Sequence, residues 1–369
     1  MKKGMKKDMR EQIKEHLMKF ILCCRSLSLF LAITAVLLTS GPLRAQPYAE
    51  IVAFGNSLTD FGGLAAYNDD FPESIEDFPV VMSNDRVWIQ YLADEWGAGL
   101  DNNAIGGAET DEHTSSQIQE LSDTGVIPDL SYLGQVSRFI DGDEAFAPAD
   151  TLFAVWIGGN DFLGFDFAQG DQNQFVNETV GNIRIGLDEL AAETDAQNFL
   201  VLNLPDMGKI PEYNDNTEVS EKATALARDF NQALENTLAD FKQTNAGVRL
   251  YVFDVFAYMN ELIASGTFAN TTGTYLELDA DGDWTGAYNG QPDDFIFWDE
   301  IHPTERTHRL LAQEAAKLEG SPHIVLGSSL PPPDDDNIEA EDDDDSTCLI
   351  TVIAAHKDFG SSAGMRCSP

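Results

Sequence analysis

The chain has 369 residues, 43% of them hydrophobic, and carries 63 Asp and Glu against 22 Lys and Arg, a formal net charge of −41 at pH 7. Such an acidic surface repels nucleic acid and anionic membranes, which argues against DNA or RNA as a partner. The length allows two domains, but α/β enzymes of this size often form one, and the hydrophobic content suffices for a large core.

The first 45 residues differ from the rest because they hold nine Lys and Arg but only three Asp and Glu. A basic start is followed by an apolar run from Leu27 to Leu38 and by small residues ending at Ala45. This order is typical of a secretory signal peptide over residues 1–45, and it predicts a secreted protein. The alternative is an uncleaved anchor, although about twelve apolar residues fall short of the ~20 that a spanning helix needs.

The first predicted strand is an apolar run from Ile51 to Phe54 that breaks at Gly55. Ser57 therefore stands where a buried parallel strand gives way to a loop. Open α/β sheets carry out their chemistry at that end of a strand, so Ser57 is a candidate nucleophile. The alternative is a turn or helix-capping serine that satisfies free main-chain amides.

Helical and apolar segments alternate along the following residues, after a predicted surface loop over 62–79. This alternation predicts an α/β fold, a three-layer α/β/α sandwich with a mostly parallel, flavodoxin-like sheet. Gly97 is expected to end the first helix, and Pro303 is expected in the first turn of the last helix, before Gly320. The predicted helices span 86–96, 131–140, 173–193, 219–241 and 303–318, and the further predicted strands span 151–157, 199–204 and 248–253.

The composition changes after the predicted globular domain, which covers 46–325. The Pro- and Asp-rich segment 326–346 cannot bury a core and is expected to be an extended linker. Residues 347–369 form a short tail. In an oxidising compartment we expect a disulfide between Cys348 and Cys367, the cysteines that remain once the signal peptide is removed.

A second candidate catalytic segment lies near the end of the domain, where Asp299 and His302 are three residues apart. Because a proline follows His302, we expect this histidine at the entrance of the last helix. There the Asp299 carboxylate can bond Nδ1 and leave Nε2 to take a proton from a hydroxyl. The alternative is a surface turn in which the aspartate caps a helix. Outside the predicted signal peptide, the other histidines are His113, His308, His323 and His356. They have no such partner and are expected to be solvated or in loops.

Hydrolysis of an ester also requires donors for the oxyanion that develops. The main-chain amides of Ser57 and Gly107 and the side-chain amide of Asn160 each follow an expected strand end. A glycine lets a substrate approach the main chain, and Asn donates without a charge that would also stabilise the bound ester. Each motif alone is weak, since Gly-Gly is common in turns and Asn-Asp in helix caps.

Together these segments resemble the four motifs of the GDSL, or SGNH, hydrolase family. The motifs are Gly55-Asn56-Ser57-Leu58, Gly107 in its Asn-x-Ala-x-Gly-Gly setting, Gly158-x-Asn160-Asp161 and Asp299-x-x-His302, within residues 49–318. A branch of the family with plant GDSL lipases and bacterial lecithinase/hemolysin-type enzymes is resembled most by two segments, Ser83-Asn84-Asp85-Arg86-Val87-Trp88 and Phe297-Trp298-Asp299. The resemblance implies Ser57 as nucleophile, His302 as general base and acid, Asp299 as its orienting carboxylate, and Ser57, Gly107 and Asn160 as the oxyanion hole. It implies no cofactor and no metal.

One residue departs from this pattern, and two other segments match motifs of different kinds. Asn56 stands where the family signature has Asp, which puts the bonding of the loop in doubt more than the activity. The segment 360–364 matches a Gly-x-Ser-x-Gly nucleophile motif but lacks a strand-turn-helix context. The segment Asp279–Asp283 resembles the start of a calcium loop, although Gly290 occupies the position of the expected Glu, so a turn is the favoured interpretation.

The leading functional hypothesis is a secreted serine esterase or lipase acting through an acyl-enzyme. The alternatives are a phospholipase or lipid acyltransferase of the same family, a polysaccharide acetylesterase, and a non-catalytic acidic surface protein. The expected partners are an ester or lipid substrate and, transiently, lipid surfaces.

Overall fold

The computed structural model describes residues 47–320, apart from 73, 74, 76, 77, 143–145 and 281. The predicted signal peptide, linker and cysteine-containing tail lie outside the described residues, as do His323, His356 and the segment 360–364. Within the described ranges, no helix is both long and apolar enough to cross a membrane.

Five parallel strands form the central sheet. They are β1 (Glu50–Gly55), β2 (Gly99–Asn102), β3 (Thr151–Trp156), β4 (Asn198–Leu202) and β5 (Arg249–Phe253). Their order is β2-β1-β3-β4-β5, and every neighbouring pair is parallel. This is the flavodoxin-like order, and it confirms the predicted α/β class.

The apolar runs of the sequence form the middle of this sheet. Every residue of β3 and β4 is buried, as is β1 from Ile51 onward, because helices cover both faces of a parallel sheet. Strands β1 and β3 pair in register from Glu50 with Thr151 to Gly55 with Trp156. Both strands therefore end at the same level, and the loops that follow them emerge side by side.

Nine helices lie among the described residues, joined by short 3₁₀ segments such as Ala65–Asp70 in the loop predicted over 62–79. Four of the predicted helices, those beginning near 86, 131, 173 and 219, are confirmed. The helices are α1 (Trp88–Trp96), α2 (Ser116–Asp123), α3 (Tyr132–Asp141), α4 (Gly159–Leu163), α5 (Gln172–Glu193), α6 (Pro211–Asn214), α7 (Thr217–Thr244), α8 (Val255–Ser265) and α9 (Glu305–Ala315).

The helices form two layers. Helix α1 packs against α9, while α3 packs against α5 and α5 against α7. The chain crosses from β1 to β2 in one direction and from β3 through β4 to β5 in the other. Right-handed crossovers then place the connecting helices on opposite faces of the sheet, as the predicted sandwich requires.

Gly97 was expected to end the first helix and Pro303 to lie in the first turn of the last one, and the structure shows both helix ends. Helix α1 ends at Gly97, whose φ of 66° is left-handed, as predicted. The prediction that Pro303 lies in the first turn of the last helix is wrong. Thr304 is the N-cap and α9 begins at Glu305, because Pro303 still belongs to the preceding loop and bridges to Phe297.

Two small sheets after α8 were not predicted. Strand β6 (Asn270–Thr274) pairs in parallel with β9 (Phe295–Phe297), and β7 (Leu276–Leu278) pairs antiparallel with β8 (Trp284–Tyr288). Between β7 and β8, the Asp283 amide donates to Asp279 Oδ1 at 3.1 Å. In the described part of the chain, no group of three or more His, Cys, Asp or Glu is arranged to hold a metal ion.

Candidate active site

The candidate residues lie together at the edge of the central sheet where the parallel strands have their carboxyl ends. Ser57 follows β1, and the carbonyl of Asn56 accepts hydrogen bonds from the amides of Thr59 and Asp60, both at 2.9 Å, which closes a tight turn around the serine. A β-carbon at Gly55 would lie 2.5 Å from the carbonyl oxygen of Trp156 at the end of β3. Only glycine therefore fits at this point of the turn.

Ser57, His302 and Asp299 form a continuous hydrogen-bonded chain. Ser57 Oγ lies 2.8 Å from His302 Nε2, and His302 Nδ1 lies 2.7 Å from Asp299 Oδ2. A carboxylate can only accept, so Nδ1 carries the proton and donates it, while Nε2 accepts from the serine hydroxyl. This is the tautomer that a general base needs.

The Asp299 carboxylate also holds the loop that carries the histidine. Its Oδ1 accepts from the amides of Ile301 at 2.9 Å and His302 at 2.6 Å. The Trp298 amide donates to the His302 carbonyl at 2.7 Å and closes the same loop. Asp299 thus fixes both the ring and the main chain of His302, which is buried with Ser57.

The three candidate oxyanion donors lie on the neighbouring loops. No acceptor in the described ranges takes a hydrogen bond from the main-chain amide of Ser57 or of Gly107. Asn160 is buried at the start of α4, and its Nδ2 donates one hydrogen bond to the carbonyl of Ala108 at 2.9 Å. A primary amide has a second N–H, so Asn160 retains a donor while it is tied to the loop of Gly107.

A family model described as GDSL-like lipase/acylhydrolase matches residues 51–315. The chain belongs to this family. The match contains all five candidate residues and includes most of the described fold.

Among curated relatives, a thermolabile hemolysin from Vibrio parahaemolyticus is 28% identical, over 72% of this chain and 62% of that protein. The chain thus spans less than two thirds of the length of this relative. A phosphatidylcholine-sterol acyltransferase from Aeromonas hydrophila is 26% identical, over 73% of this chain and 89% of that protein. Among solved structures, a phospholipase A1 from Streptomyces albidoflavus is similar with a TM-score of 0.40 and 16% identity, over 75% of this chain and all of that one.

Asn56 departs from the GDSL signature, but its side chain still accepts a hydrogen bond within the nucleophile loop. Asn56 Oδ1 accepts from the Leu58 amide at 3.1 Å, a bond that an aspartate oxygen at the same place could equally accept. The side chain is buried. The substitution therefore preserves the acceptor that shapes the loop around Ser57.

Asp60 connects the nucleophile loop to the Gly106–Gly107 loop, and its role was not predicted. Its buried carboxylate accepts from the amides of Gly62, Gly63 and Leu64, and from the amide of Gly106 at 2.7 Å. Burial raises the pKa of Asp60 above its ordinary value, against the opposing effect of these four amide donors. Its position three residues after Ser57 was the available indication.

Asp161 plays a similar part beside Asn160. Its carboxylate accepts from the Thr110 hydroxyl at 2.6 Å and from the Thr110 amide at 3.1 Å, and the side chain of Asn182 donates to the same hydroxyl. Burial raises the pKa of Asp161 to about 6. The loop after Gly107 is therefore attached to the helix that carries Asn160.

The expectation that the other histidines are solvated or in loops is wrong for His308, whereas His113 does lie in a loop. His113 follows the Gly107 loop but is buried, with 6% of its surface exposed, and His308 lies in α9 and is fully buried. His308 Nδ1 accepts from the Trp88 amide at 3.3 Å, and its pKa falls to about 3 because of burial and the nearby His302. Sequence spacing missed both because their partners are main-chain atoms.

Proposed function

We propose that this protein is a serine carboxylester hydrolase that works through an acyl-enzyme. The observation that carries the proposal is the chain of contacts from Ser57 Oγ through His302 to Asp299. It joins residues 245 positions apart, and both ring nitrogens of His302 have the partners that the reaction requires.

The reaction follows from these contacts. Ser57 Oγ attacks the ester carbonyl carbon while its proton moves to His302 Nε2, and the carbonyl π electrons move onto the carbonyl oxygen. Collapse of this intermediate expels the alcohol, which takes the proton from His302. Water then attacks the acyl-serine with the same proton transfers and releases the carboxylic acid and the free serine.

The oxyanion of both intermediates would accept hydrogen bonds from the amides of Ser57 and Gly107 and from Asn160 Nδ2. These donors are neutral and already held in place, Asn160 by Ala108 and the Gly106–Gly107 loop by Asp60. Preorganised donors of this kind stabilise developing charge without reorganising during the reaction.

The test is hydrolysis of p-nitrophenyl butyrate by Ser57→Ala. We expect kcat to fall at least about 10⁴-fold because no nucleophile remains. The matched control is Ser131→Ala, which removes another buried serine hydroxyl, the N-cap of α3 that accepts from Gly134. The control should keep its activity and lose about 1 kcal/mol of stability. Full activity of Ser57→Ala would refute the proposal.

A lipid substrate is the second and finer candidate. An apolar pocket lies next to the site, and Leu58, Ile301 and Pro303, the neighbours of Ser57 and His302, form part of its wall. The remaining lining residues are mostly apolar and include Met259 of α8 and Phe297 of β9. These apolar side chains would contact the acyl part of a bound ester, and the Aeromonas relative is named for a phospholipid acyl donor.

Substrate and acceptor can be separated in one series of assays. Esters from acetate to palmitate, and phosphatidylcholine with and without a sterol or another alcohol, would be compared. Faster hydrolysis of longer chains supports the acyl pocket, whereas a preference for acetate favours an acetylesterase. Transfer of the acyl group to the alcohol identifies an acyltransferase, and no turnover of any ester favours a non-catalytic surface protein.

Secretion belongs to the same proposal and is supported by the sequence pattern of residues 1–45 alone. Expression of the full chain in a secreting bacterial host should yield protein outside the cytoplasm whose first residue is Gln46. Retention of residues 1–45 on the exported or cytoplasmic protein would contradict cleavage near Ala45.

A further inference from the structure

We propose that His113 is a positioning residue of the oxyanion hole and acts through the peptide bond between Gly106 and Gly107. This inference rests on the proposed ester hydrolysis and extends it to a residue outside the four family motifs. His113 touches no reacting atom in this scheme; its effect passes through the main chain.

The protonation state of His113 follows from its two partners. The Ser115 amide lies 3.0 Å from Nδ1, and the carbonyl oxygen of Gly106 lies 2.9 Å from Nε2. An amide can only donate and a carbonyl can only accept. Nδ1 is therefore unprotonated, and Nε2 carries the proton and donates it to Gly106. Both bonds are satisfied by the neutral ring.

The peptide that accepts this bond also supplies an oxyanion donor. The carbonyl of Gly106 and the N–H of Gly107 belong to one planar unit, and the described chain has no cis peptide bonds. In a trans peptide the carbonyl and the N–H point in opposite directions. Holding the Gly106 carbonyl toward His113 therefore turns the Gly107 N–H away from the ring. A hydrogen bond to the carbonyl also polarises the N–H of the same unit.

The neighbouring peptide unit is fixed independently by Asp60. The Gly106 amide donates to Asp60 Oδ2 at 2.7 Å, so the two peptide units that meet at Gly106 are held by two different side chains. A rotation of the Gly106–Gly107 unit would break the bond to His113 while the bond to Asp60 remained. Loss of the His113 side chain would therefore leave the orientation of the Gly107 N–H unfixed.

The packing around Gly107 shows why the imidazole can reach this peptide. Gly107 has a φ of 76°, and a β-carbon there would lie 2.6 Å from His113 Cε1 and 2.7 Å from Nε2. The loop returns on itself, with the Thr114 amide donating to the Gly107 carbonyl at 3.0 Å and a bridge between Ala108 and His113. Glycine at 107 is therefore required by the ring as well as by the substrate.

Burial keeps this histidine neutral. It lowers the pKa of His113 to about 4, so the ring stays uncharged at neutral pH. The neutral ring keeps both of its hydrogen bonds, since a proton on Nδ1 would displace the Ser115 amide.

The test compares His113→Leu, which removes the donor, with His113→Gln, whose side-chain NH₂ can again donate to Gly106. For p-nitrophenyl butyrate we expect His113→Leu to lower kcat at least about tenfold, with KM within about twofold, and His113→Gln to recover most of the loss. A trifluoromethyl ketone, whose adduct with Ser57 carries an oxyanion, should bind His113→Leu more weakly by the same factor. Thermal unfolding would confirm that each variant is folded.

The matched control is Asn198→Leu. Asn198 is buried and donates to the carbonyl of Thr151, but it lies at the amino end of β4, away from the site. It should lose stability and keep kcat and the affinity for the ketone. A kcat for His113→Leu within twofold of the wild type would overturn the inference, as would unchanged ketone affinity or a His113→Gln variant no better than His113→Leu.

A measurement on the unaltered protein covers the case in which the variants do not fold. In ¹⁵N-histidine NMR spectra between pH 6 and 8, His113 should show a protonated Nε2 and an unprotonated Nδ1. A proton on Nδ1 would overturn the inference. Neither result depends on whether Ser57→Ala is inactive, so failure of this inference is distinguishable from failure of the proposed hydrolysis.

Discussion

His302 and His113 are both buried and both bonded at each ring nitrogen, yet their contacts place the proton on opposite nitrogens. His302 is protonated on Nδ1 because Asp299 accepts there, whereas His113 is protonated on Nε2 because the Gly106 carbonyl accepts there. His302 presents a free lone pair to the hydroxyl of Ser57. The Nδ1 lone pair of His113 is occupied by the Ser115 amide.

This difference in the protonated nitrogen corresponds to two different roles of histidine. The partners of His302 are a carboxylate and a hydroxyl, which tolerate a change of its charge during the reaction. The partners of His113 are main-chain atoms, and protonation of its Nδ1 would displace an amide donor. Burial without a neighbouring carboxylate favours the neutral ring, so an imidazole in this setting holds structure in place.

The largest expected effect in this comparison comes from Asp299→Asn. The asparagine oxygen can still accept from the amides of Ile301 and His302, but its NH₂ cannot accept from His302 Nδ1–H. We expect the wrong tautomer of His302 and a loss of about 10⁴-fold in kcat with little change in folding. Steady-state kinetics with p-nitrophenyl butyrate measure it. A loss below tenfold would show that Asp299 does not set the tautomer.

A smaller effect is expected from Asn160→Leu. This substitution removes one hydrogen-bond donor of the oxyanion hole and leaves the Ser57–His302 pair intact. We expect kcat to fall by about 10²–10³, with KM changed little. The control is Asn231→Leu, because Asn231 is also a buried helical asparagine whose Nδ2 donates to a loop carbonyl, that of Leu204. Equal activity in the two variants would contradict the assignment of Asn160.

The smallest expected effect is on the free energy of unfolding, and it comes from Glu109, which follows the Gly106–Gly107 loop. Burial, together with the charges of Asp161, Glu112 and Asp111, raises the pKa of Glu109 to about 8 from 4.5. Between about pH 4.5 and 8 the unfolded chain releases this proton while the folded chain keeps it. The free energy of unfolding therefore falls as the pH rises through this range.

Glu109→Gln removes this loss because its side chain stays neutral. We expect the variant to match the wild type near pH 4.5 and to exceed it above pH 8 by roughly 2 kcal/mol, a value reduced for partial exposure. Urea unfolding at both pH values measures the difference, with Glu193→Gln, at an exposed position at the end of α5, as the control. An equal gain at both pH values would contradict the raised pKa.

The catalytic candidates could be predicted from the sequence because they lie in short motifs or directly after an apolar strand, and because their partners are other side chains. Ser57 follows an apolar run, and Asp299 and His302 are three residues apart, so their placement could be predicted. Periodicity likewise predicted the long helices and the buried strands β3 to β5. Strand β2 was missed because it is only four residues long, Gly99–Asn102, and partly exposed.

The supporting residues could not be predicted in the same way. His113 and Asp60 bind main-chain atoms, and any residue type can supply a main-chain amide or carbonyl. No pattern of side chains therefore marks their partners, and the turn that brings His113 to Gly106 depends on the left-handed Gly107. Strand β6 was missed for a related reason, since the polar residues of Asn270–Thr274 give no apolar alternation. Strand β9 is apolar but has only three residues, Phe295–Phe297.

The most direct test of the central claim is labelling of the intact protein with a fluorophosphonate, followed by mass spectrometry of its peptides. If His302 activates Ser57, the wild type should carry a single adduct, on Ser57, and His302→Gln should react at least about 10³-fold more slowly. An adduct on another residue, or labelling of Ser57 at the same rate in both proteins, would contradict the account.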